Sequence, residues 1–285
     1  GELLPKLGVN FKSEESKLPF QIKGPLQPND IKIDGSLSSQ FITGFIYGFA
    51  GSPLLMNEKM TLINPKSVPY IELSLDVLKE FGIELEIKNN EIQFAGPYDF
   101  KEADIQIEGD WSSASFYLVA AAILGDLNFT NMNKNSCQAD IKMLEAIQDF
   151  GAEVTWNMES LLVKKKEFKS FDFDATDCPD LFPPLAVLAS FGTAETSIKG
   201  VKRLFAKESD RAATIQSELG KLGANIRVED DVMYINPCGK PQIYEVDSCN
   251  DHRIAMACAI YGLKLDQEIT ITNAEAVDKS FPSFY

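Results

Sequence analysis

Histidine is nearly absent from this chain: His252 is the only one in 285 residues. The five cysteines (Cys137, Cys178, Cys238, Cys249 and Cys258) are odd in number and form no CxxC pair. With one imidazole and no clustered thiols, a metal site lacks ligands. The cysteines read instead as buried free thiols in a reducing cytoplasm, in preference to disulfides. Cations are scarce as well, with 27 Lys and Arg against 42 Asp and Glu and a net charge of −15. That balance excludes a general nucleic-acid role, which needs a basic face, and it repels small anions unless the few cations cluster at one site. No apolar run approaches the roughly 20 residues of a membrane span; the longest candidate, Phe116 to Leu124, fits one ordinary helix. The opening GELLPKLG lacks a basic, signal-like stretch and an initiator Met, so a fragment of a longer protein is expected.

What is present is a globular composition, 45% apolar and 24% charged, with length for one large domain or two ordinary ones. Four segments share one shape: "IDGSLSSQFITGFIYGFAG" from Ile33, "IEGDWSSASFYLVAAAILG" from Ile107, "FDATDCPDLFPPLAVLASFG" from Phe173 and "VDSCNDHRIAMACAIYGL" from Val246. Each is a short apolar stretch ending in an acid, then a small polar loop, then an apolar helix. The acids Asp34, Glu108, Asp174 and Asp247 are spaced by 74, 66 and 73 residues. A second shape interleaves with the first: amphipathic helix, then Gly82, Gly151 or Gly223, then a predicted hairpin whose turn is "NN", "ME" or "EDD". A glycine just past a helix predicts a left-handed cap. Together these give an α/β fold of repeated βαβαββ modules, with the chain beginning in mid-module.

The loops before the helices are the natural anion sites, because helix N-termini present unpaired N–H groups and partial positive charge. At the sixth place after each aligned acid stand Gln40, Ala114, Asp180 and Arg253. The frame repeats while the side chain differs. "SLSSQ" is either a serine cap or a phosphate cradle, and the serines of "GDWSSAS" read as caps. Asp177 and Asp180 either complement a helix dipole or supply a general base. Arg203, Lys207 and Arg211 recur at four-residue steps and are either ordinary surface pairs with Glu208 and Asp210 or cations converging on a helix entry near Ser209. His252 reads as a packed imidazole satisfied by Asp251. Arg253 suits bidentate grip of a carboxylate or phosphate. Lys279 is expected on a loop.

Taken in order, "DGSLSSQF", "SVPYIEL", "EGDWSSASF", "DCPDLFPPLA", "KESDR", "NDHRIAMA" and "DKSFPSF" resemble the 5-enolpyruvylshikimate-3-phosphate synthase family, the 3-phosphoshikimate 1-carboxyvinyltransferases. The resemblance implies an enolpyruvyl transferase fold of two lobes. Residues 1–108 would be part of the first lobe, on the shikimate 3-phosphate side. Residues 109–285 would be the second, incomplete at its C-terminus. It implies that Ser38, Ser39, Gln40, Ser67, Tyr70, Asp180 and Lys207 hold shikimate 3-phosphate. Gln40, Arg211, His252, Arg253 and Lys279 would bind phosphoenolpyruvate. Asp180 would take the 5-hydroxyl proton, and Glu208 would protonate the methylene carbon. No role is carried to Arg203, which stands where some members have Asn.

On that resemblance the reaction belongs to the shikimate pathway of aromatic amino-acid and chorismate biosynthesis. No metal or organic cofactor is implied, no nucleic-acid or membrane partner is expected, and the protein is expected to be a monomer of the cytoplasm. The family's N-terminal phosphate-contacting segment is missing, so this chain alone is expected to be inactive. The rival readings are the sister enzyme acting on UDP-N-acetylglucosamine, against which "KESDR" and "DHR" argue, and an inactive lobe or binding module.

Overall fold

Strand-ending aspartates set the frame of each module. The computed structural model describes residues 3–14, 17–36, 38–158, 160–205 and 207–285, and the chain divides into two compact units, 1–106 and 107–285. Asp34 Oδ1 accepts the N–H of Ser36 at 2.9 Å, Asp174 Oδ1 that of Thr176 at 3.0 Å, and Asp247 Oδ1 that of Cys249 at 2.7 Å. Each carboxylate thus folds the chain back on itself directly after a strand, as an Asx turn does.

In the first unit, strands Ile31–Asp34 and Lys59–Ile63 run parallel, Glu91–Gln93 pairs antiparallel with the latter, and Ile87–Lys88 lies outermost. Helices Ser39–Ala50 and Val68–Glu80 follow the two parallel strands. Their apolar residues fall at helical spacing: Ile42, Ile46 and Phe49 on one, Ile71, Leu75 and Leu78 on the other. All are buried in one core with Ile33, Leu62, Ile92 and Phe94. The short helix Leu3–Lys6 and the hairpin of Asn10–Glu14 with Lys17–Lys23 precede this module, the order expected for the tail of another copy.

The second unit repeats the pattern. Strands Asp172–Asp174, Thr196–Lys199, Val232–Asn236 and Asn225–Glu229 lie side by side in that order, with the same directions as in the first unit. Before them, Leu127–Thr130, Ser160–Lys164 and Glu153–Trp156 form a three-stranded sheet. After them, Glu245–Asp247 and Thr270–Thr272 pair in parallel. Helices Trp111–Leu124, Phe182–Ser190 and His252–Gly262 pack on one another, and every residue of Phe182–Ser190 is buried. That is why these helices are apolar all round, whereas Arg211–Lys221 buries one stripe.

One predicted strand is missing. Residues 101–110 carry no strand, and Gly109 meets Asn131 through an N–H to carbonyl bond of 2.7 Å rather than a ladder. Ile107 is 83% exposed and Ile105 39%, so no buried face holds a ladder there. The aligned acid in this copy is Glu108, one methylene longer, and it reaches across to Ser136 Oγ (2.6 Å) and Gln138 Nε2 (2.8 Å) instead of closing its own turn.

The predicted glycine caps are present: Gly82, Gly151 and Gly223 have φ of +83°, +105° and +103°. At each, the N–H of the next residue returns to a carbonyl five back, as in Ala152 to Ile147 at 3.1 Å. The "NN" turn is left-handed at both Asn89 and Asn90, and Asp230 is left-handed in the third hairpin. Glu159 of the second turn lies outside the described residues. Of the cysteines expected to be buried, only Cys178 and Cys258 are; Cys238 is half-buried, and Cys137 and Cys249 are exposed. These two occupy polar loops rather than helix faces.

A Cβ on Gly151 would lie 2.2 Å from the carbonyl oxygen of Glu167, whereas one on Gly220, inside a helix, would meet nothing within 4 Å. Gly151→Ala is therefore expected to cost about 2 kcal/mol or more, and Gly220→Ala to be neutral or stabilising by up to about 1 kcal/mol. Denaturant midpoints of the two variants check this, and equal midpoints would refute the cap assignment.

Candidate active site

In the first unit, the predicted contacts lie where two helices leave the same end of adjacent parallel strands, the usual place for a ligand in such sheets. Ser38 is the N-cap of helix Ser39–Ala50, its Oγ accepting from the Gln40 N–H at 3.2 Å. The bland reading therefore holds for that serine as far as its hydrogen bond goes. Ser39 is buried, and Gln40 is exposed on the first turn. Ser67 is buried at the entry of the neighbouring helix with a left-handed φ of 51°, and its carbonyl accepts from the Tyr70 N–H at 3.1 Å. The two loops approach closely, since a Cβ on Gly35 would lie 3.0 Å from Pro65 Cα. Ser38–Gln40 and Ser67–Tyr70 are thus brought to one edge.

In the second unit the predicted residues gather about Arg211. Its guanidinium has no exposure to water. Nε donates to Asp251 Oδ2 at 2.9 Å, and Nη2 to Asp251 Oδ1 at 3.3 Å. Nη1 donates to Asp180 Oδ1 at 2.8 Å, and Nη2 also donates to Glu208 Oε2. Asp180 is shared further: Lys207 Nζ lies 3.1 Å from its Oδ1 and Arg253 Nη2 lies 3.3 Å from its Oδ2. Three cations, Lys207, Arg211 and Arg253, thus face three carboxylates, Asp180, Glu208 and Asp251. An anion reaches Arg211 only by taking the place of Asp180 or Glu208, whose side chains are 30% and 40% exposed, because Asp251 is fully buried.

Charge explains the titration behaviour. Burial disfavours ionised Asp180, but the cations Arg253, Lys207 and Arg211 outweigh it and hold the carboxyl far below its usual range. Burial likewise opposes the charges on Asp251 and Arg211; their mutual attraction, joined by the Arg253 N–H at Asp251 and by Asp180 and Glu208 at Arg211, more than compensates. His252 goes the other way: burial first, then Arg253, pushes its pKa below the ordinary value.

Lys279 closes a short 3₁₀ helix, Ala274–Lys279, rather than sitting on the expected loop; its ammonium donates to the carbonyl and side-chain oxygens of Asn250, which ties that turn to the neighbouring loop. His252 is not satisfied by Asp251: Nδ1 lies 3.9 Å from Oδ1 and is buried with no hydrogen-bond partner among the described residues. The carboxylate is already committed to Arg211. Asp210, not Ser209, caps helix Arg211–Lys221, accepting from the Ala213 N–H at 3.2 Å, while Ser209 turns to Asp251 at 3.3 Å. Asp110, not a serine, caps Trp111–Leu124. Asp110 accepts the N–H groups of Ser112 and Ser113, which lie inside the helix, whereas at Arg211 the Ser209 hydroxyl is engaged with Asp251 and leaves the cap to Asp210. Asp251 is the residue that local sequence reasoning undervalued; its N-cap spacing before "HR" was the available signal. Among the described residues no group of three or more His, Cys, Asp or Glu is placed to hold a metal, and no helix is long and apolar enough to cross a membrane.

The repeated βαβαββ frame, with these clusters at its helix mouths, defines an enolpyruvyl transferase fold. The solved EPSP synthase of Acinetobacter baumannii superposes with a TM-score of 0.80 at 26% identity, over 99% of this chain and 67% of that one. The enolpyruvyl transferase NikO of Streptomyces tendae shares the fold at a TM-score of 0.74 and 15% identity. The chain belongs to the EPSP synthase (3-phosphoshikimate 1-carboxyvinyltransferase) family, whose profile matches residues 2–285. Relatives of that name from Clostridium novyi (strain NT) and Pyrococcus abyssi (strain GE5 / Orsay) are 34% and 36% identical, over 98% and 100% of this chain. The chain spans about two thirds of their length, 64% and 67%.

The buried imidazole sets a pH dependence. Unfolded, it takes up a proton near 6.5; folded, among Arg253, Asp251, Glu208 and Arg211, it does so only at lower pH. Below about 6.5 the unfolded state therefore binds more protons, and stability falls as pH drops towards the folded value. Asp180 and Asp251, depressed below 3.8, contribute no change in that window. Thermal melting between about pH 7.5 and 5.5 should fall more steeply for the native sequence than for His252→Gln. Parallel curves would contradict this.

Proposed function

We propose that the protein containing this chain transfers the enolpyruvyl group of phosphoenolpyruvate to the 5-hydroxyl of shikimate 3-phosphate, as a monomer in the cytoplasm, in aromatic amino-acid biosynthesis. The observation that carries this reading is the position of Asp180, 2.8 to 3.3 Å from three cations, with Glu208 across Arg211 from it. The first unit would be the shikimate 3-phosphate side, with Ser38, Ser39, Gln40, Ser67 and Tyr70 on that substrate together with Lys207 and Asp180. Arg211, Arg253, Lys279 and His252 would surround phosphoenolpyruvate.

In this reading the 5-hydroxyl oxygen bonds to the central carbon of phosphoenolpyruvate while Asp180 takes its proton and Glu208 gives one to the methylene carbon. The resulting tetrahedral adduct loses a methyl proton back to Glu208 and expels phosphate, which takes the proton held by Asp180. Atoms and charge balance without a cofactor. The cations steady the carboxylate and phosphate charges through both steps. They also link binding to basicity. When the substrate's anionic groups claim Arg253 and Arg211, part of the positive charge that depresses Asp180 is offset and its pKa rises, with Lys207 still beside it.

Two measurements test this on the whole gene product. Phosphate release from phosphoenolpyruvate is expected with shikimate 3-phosphate and not with UDP-N-acetylglucosamine, and Asp180→Ala and Glu208→Ala should each lower kcat by about 10²- to 10⁴-fold. Release only with the nucleotide sugar would transfer the chain to the sister activity; release with neither would leave a binding lobe. Second, the acid limb of the kcat profile, which reports the complex, should lie at higher pH than that of kcat/KM, which reports the free enzyme. Coincident limbs would remove the coupling between cation exchange and basicity.

A further inference from the structure

Resting on that reading, we infer that Asp251 is a positioning residue for phosphoenolpyruvate, setting the relative placement of Arg211 and Arg253. Its carboxylate is fully buried, so it touches no substrate. Every oxygen contact it makes is to the apparatus around the site. Oδ2 accepts from Arg211 Nε (2.9 Å) and Ser209 Oγ (3.3 Å), and Oδ1 accepts from Arg211 Nη2 (3.3 Å) and the backbone N–H of Arg253 (2.9 Å). One group therefore grips the guanidinium of the first arginine from behind and caps the helix that carries the second.

The remaining partners of Arg211 are different in kind. Asp180 and Glu208 are partly exposed and face the place an anion would take, so they are the contacts exchanged on binding. The pair with Asp251 is the one that persists, and it fixes the direction in which Nη1 and Nη2 point once the others leave. The approach to Asp251 is held as well. Cys249 and Asn250 are both left-handed, with φ of 51° and 57°. The Asp251 N–H returns to Ser248 O at 2.9 Å, and Asn250 receives the ammonium of Lys279. Three of the proposed phosphoenolpyruvate cations are thus referred to one four-residue loop. A rival role for Asp251, orienting His252, is excluded by their 3.9 Å separation.

The test uses the whole gene product and steady-state kinetics with each substrate varied in turn. Asp251→Asn keeps the cap acceptor and removes the charge behind Arg211; KM for phosphoenolpyruvate should rise by roughly tenfold or more, with KM for shikimate 3-phosphate within about twofold. Asp251→Glu keeps the charge but moves it by one methylene, and a smaller rise of roughly threefold, again confined to phosphoenolpyruvate, is expected. Melting curves establish which variants fold, and if Asp251→Asn does not, the Glu variant decides alone. A folded variant with native phosphoenolpyruvate KM overturns the inference, as does an equal rise for both substrates, which would mark general loss of packing. A native protein that releases no phosphate with shikimate 3-phosphate defeats the functional reading and this inference with it. An active native protein with an unaffected variant defeats the inference alone.

Discussion

A guanidinium without access to water is expensive unless each of its donors is engaged and its charge is matched. Arg211 makes four charge-assisted bonds that engage all three of its nitrogens, drawing on Asp180 ahead of one buried helix, Glu208 three residues before itself, and Asp251 at the mouth of another helix. Breaking a buried pair by removing one member typically costs about 3–5 kcal/mol, because the survivor is left uncompensated. The arrangement therefore acts as a staple between repeated modules as much as an assembly for chemistry. Well-packed hydrophobic residues of similar volume often hold a core as well or better, so stability alone does not account for a charged centre here.

Around that staple the modules divide labour between a constant part and a variable one. The constant part is the strand-ending aspartate that closes its own turn, seen at Asp34, Asp174 and Asp247. It delivers the next helix N-terminus to the same edge of its sheet each time. The variable part is the residue six places on, glutamine, aspartate or arginine, which inherits that placement and supplies different chemistry. Where the constant residue is Glu108, the turn is not made, and the strand before it is not formed either. The helix that follows is nonetheless present, its start set by Asp110, which accepts from the N–H groups of Ser112 and Ser113.

Features governed by neighbours in sequence were legible before any coordinates. The caps at Gly82, Gly151 and Gly223 and the asparagine turn depend on backbone preferences of one or two residues, and they stand where spacing put them. The succession of strands and helices along the chain followed from the same local signals repeated, except before Glu108, where no strand forms. What escaped was set by partners far along the chain. Arg211 looked like one of several cations at helical steps, and only the 40-residue jump to Asp251 makes it the buried centre. Asp251 in turn looked like a partner for the adjacent histidine, because adjacency is all a sequence displays. Competition between neighbouring caps was also illegible: Ser209 and Asp210 both suit a helix start, and the choice falls to the aspartate because the serine is taken by Asp251.

The balance of charge at the cluster bears on how an acidic protein handles anionic ligands. With a net charge of −15, the distant field opposes a phosphate or carboxylate, but beyond roughly 8 Å that field is largely screened at physiological salt. Around Arg211, the cations Lys207, Arg211 and Arg253 already face Asp180, Glu208 and Asp251, so little unmatched charge draws an anion to that guanidinium. Binding must instead be an exchange, in which a ligand oxygen replaces a side-chain oxygen at nearly the same distance from the same nitrogen. Such an exchange gains little from attraction alone and much from geometry, since the incoming group must match bonds already close to ideal length. Selectivity then rests on how rigidly the nitrogens are held. The fully buried side of Arg211 is where that rigidity resides, and the partly exposed side is where the exchange takes place.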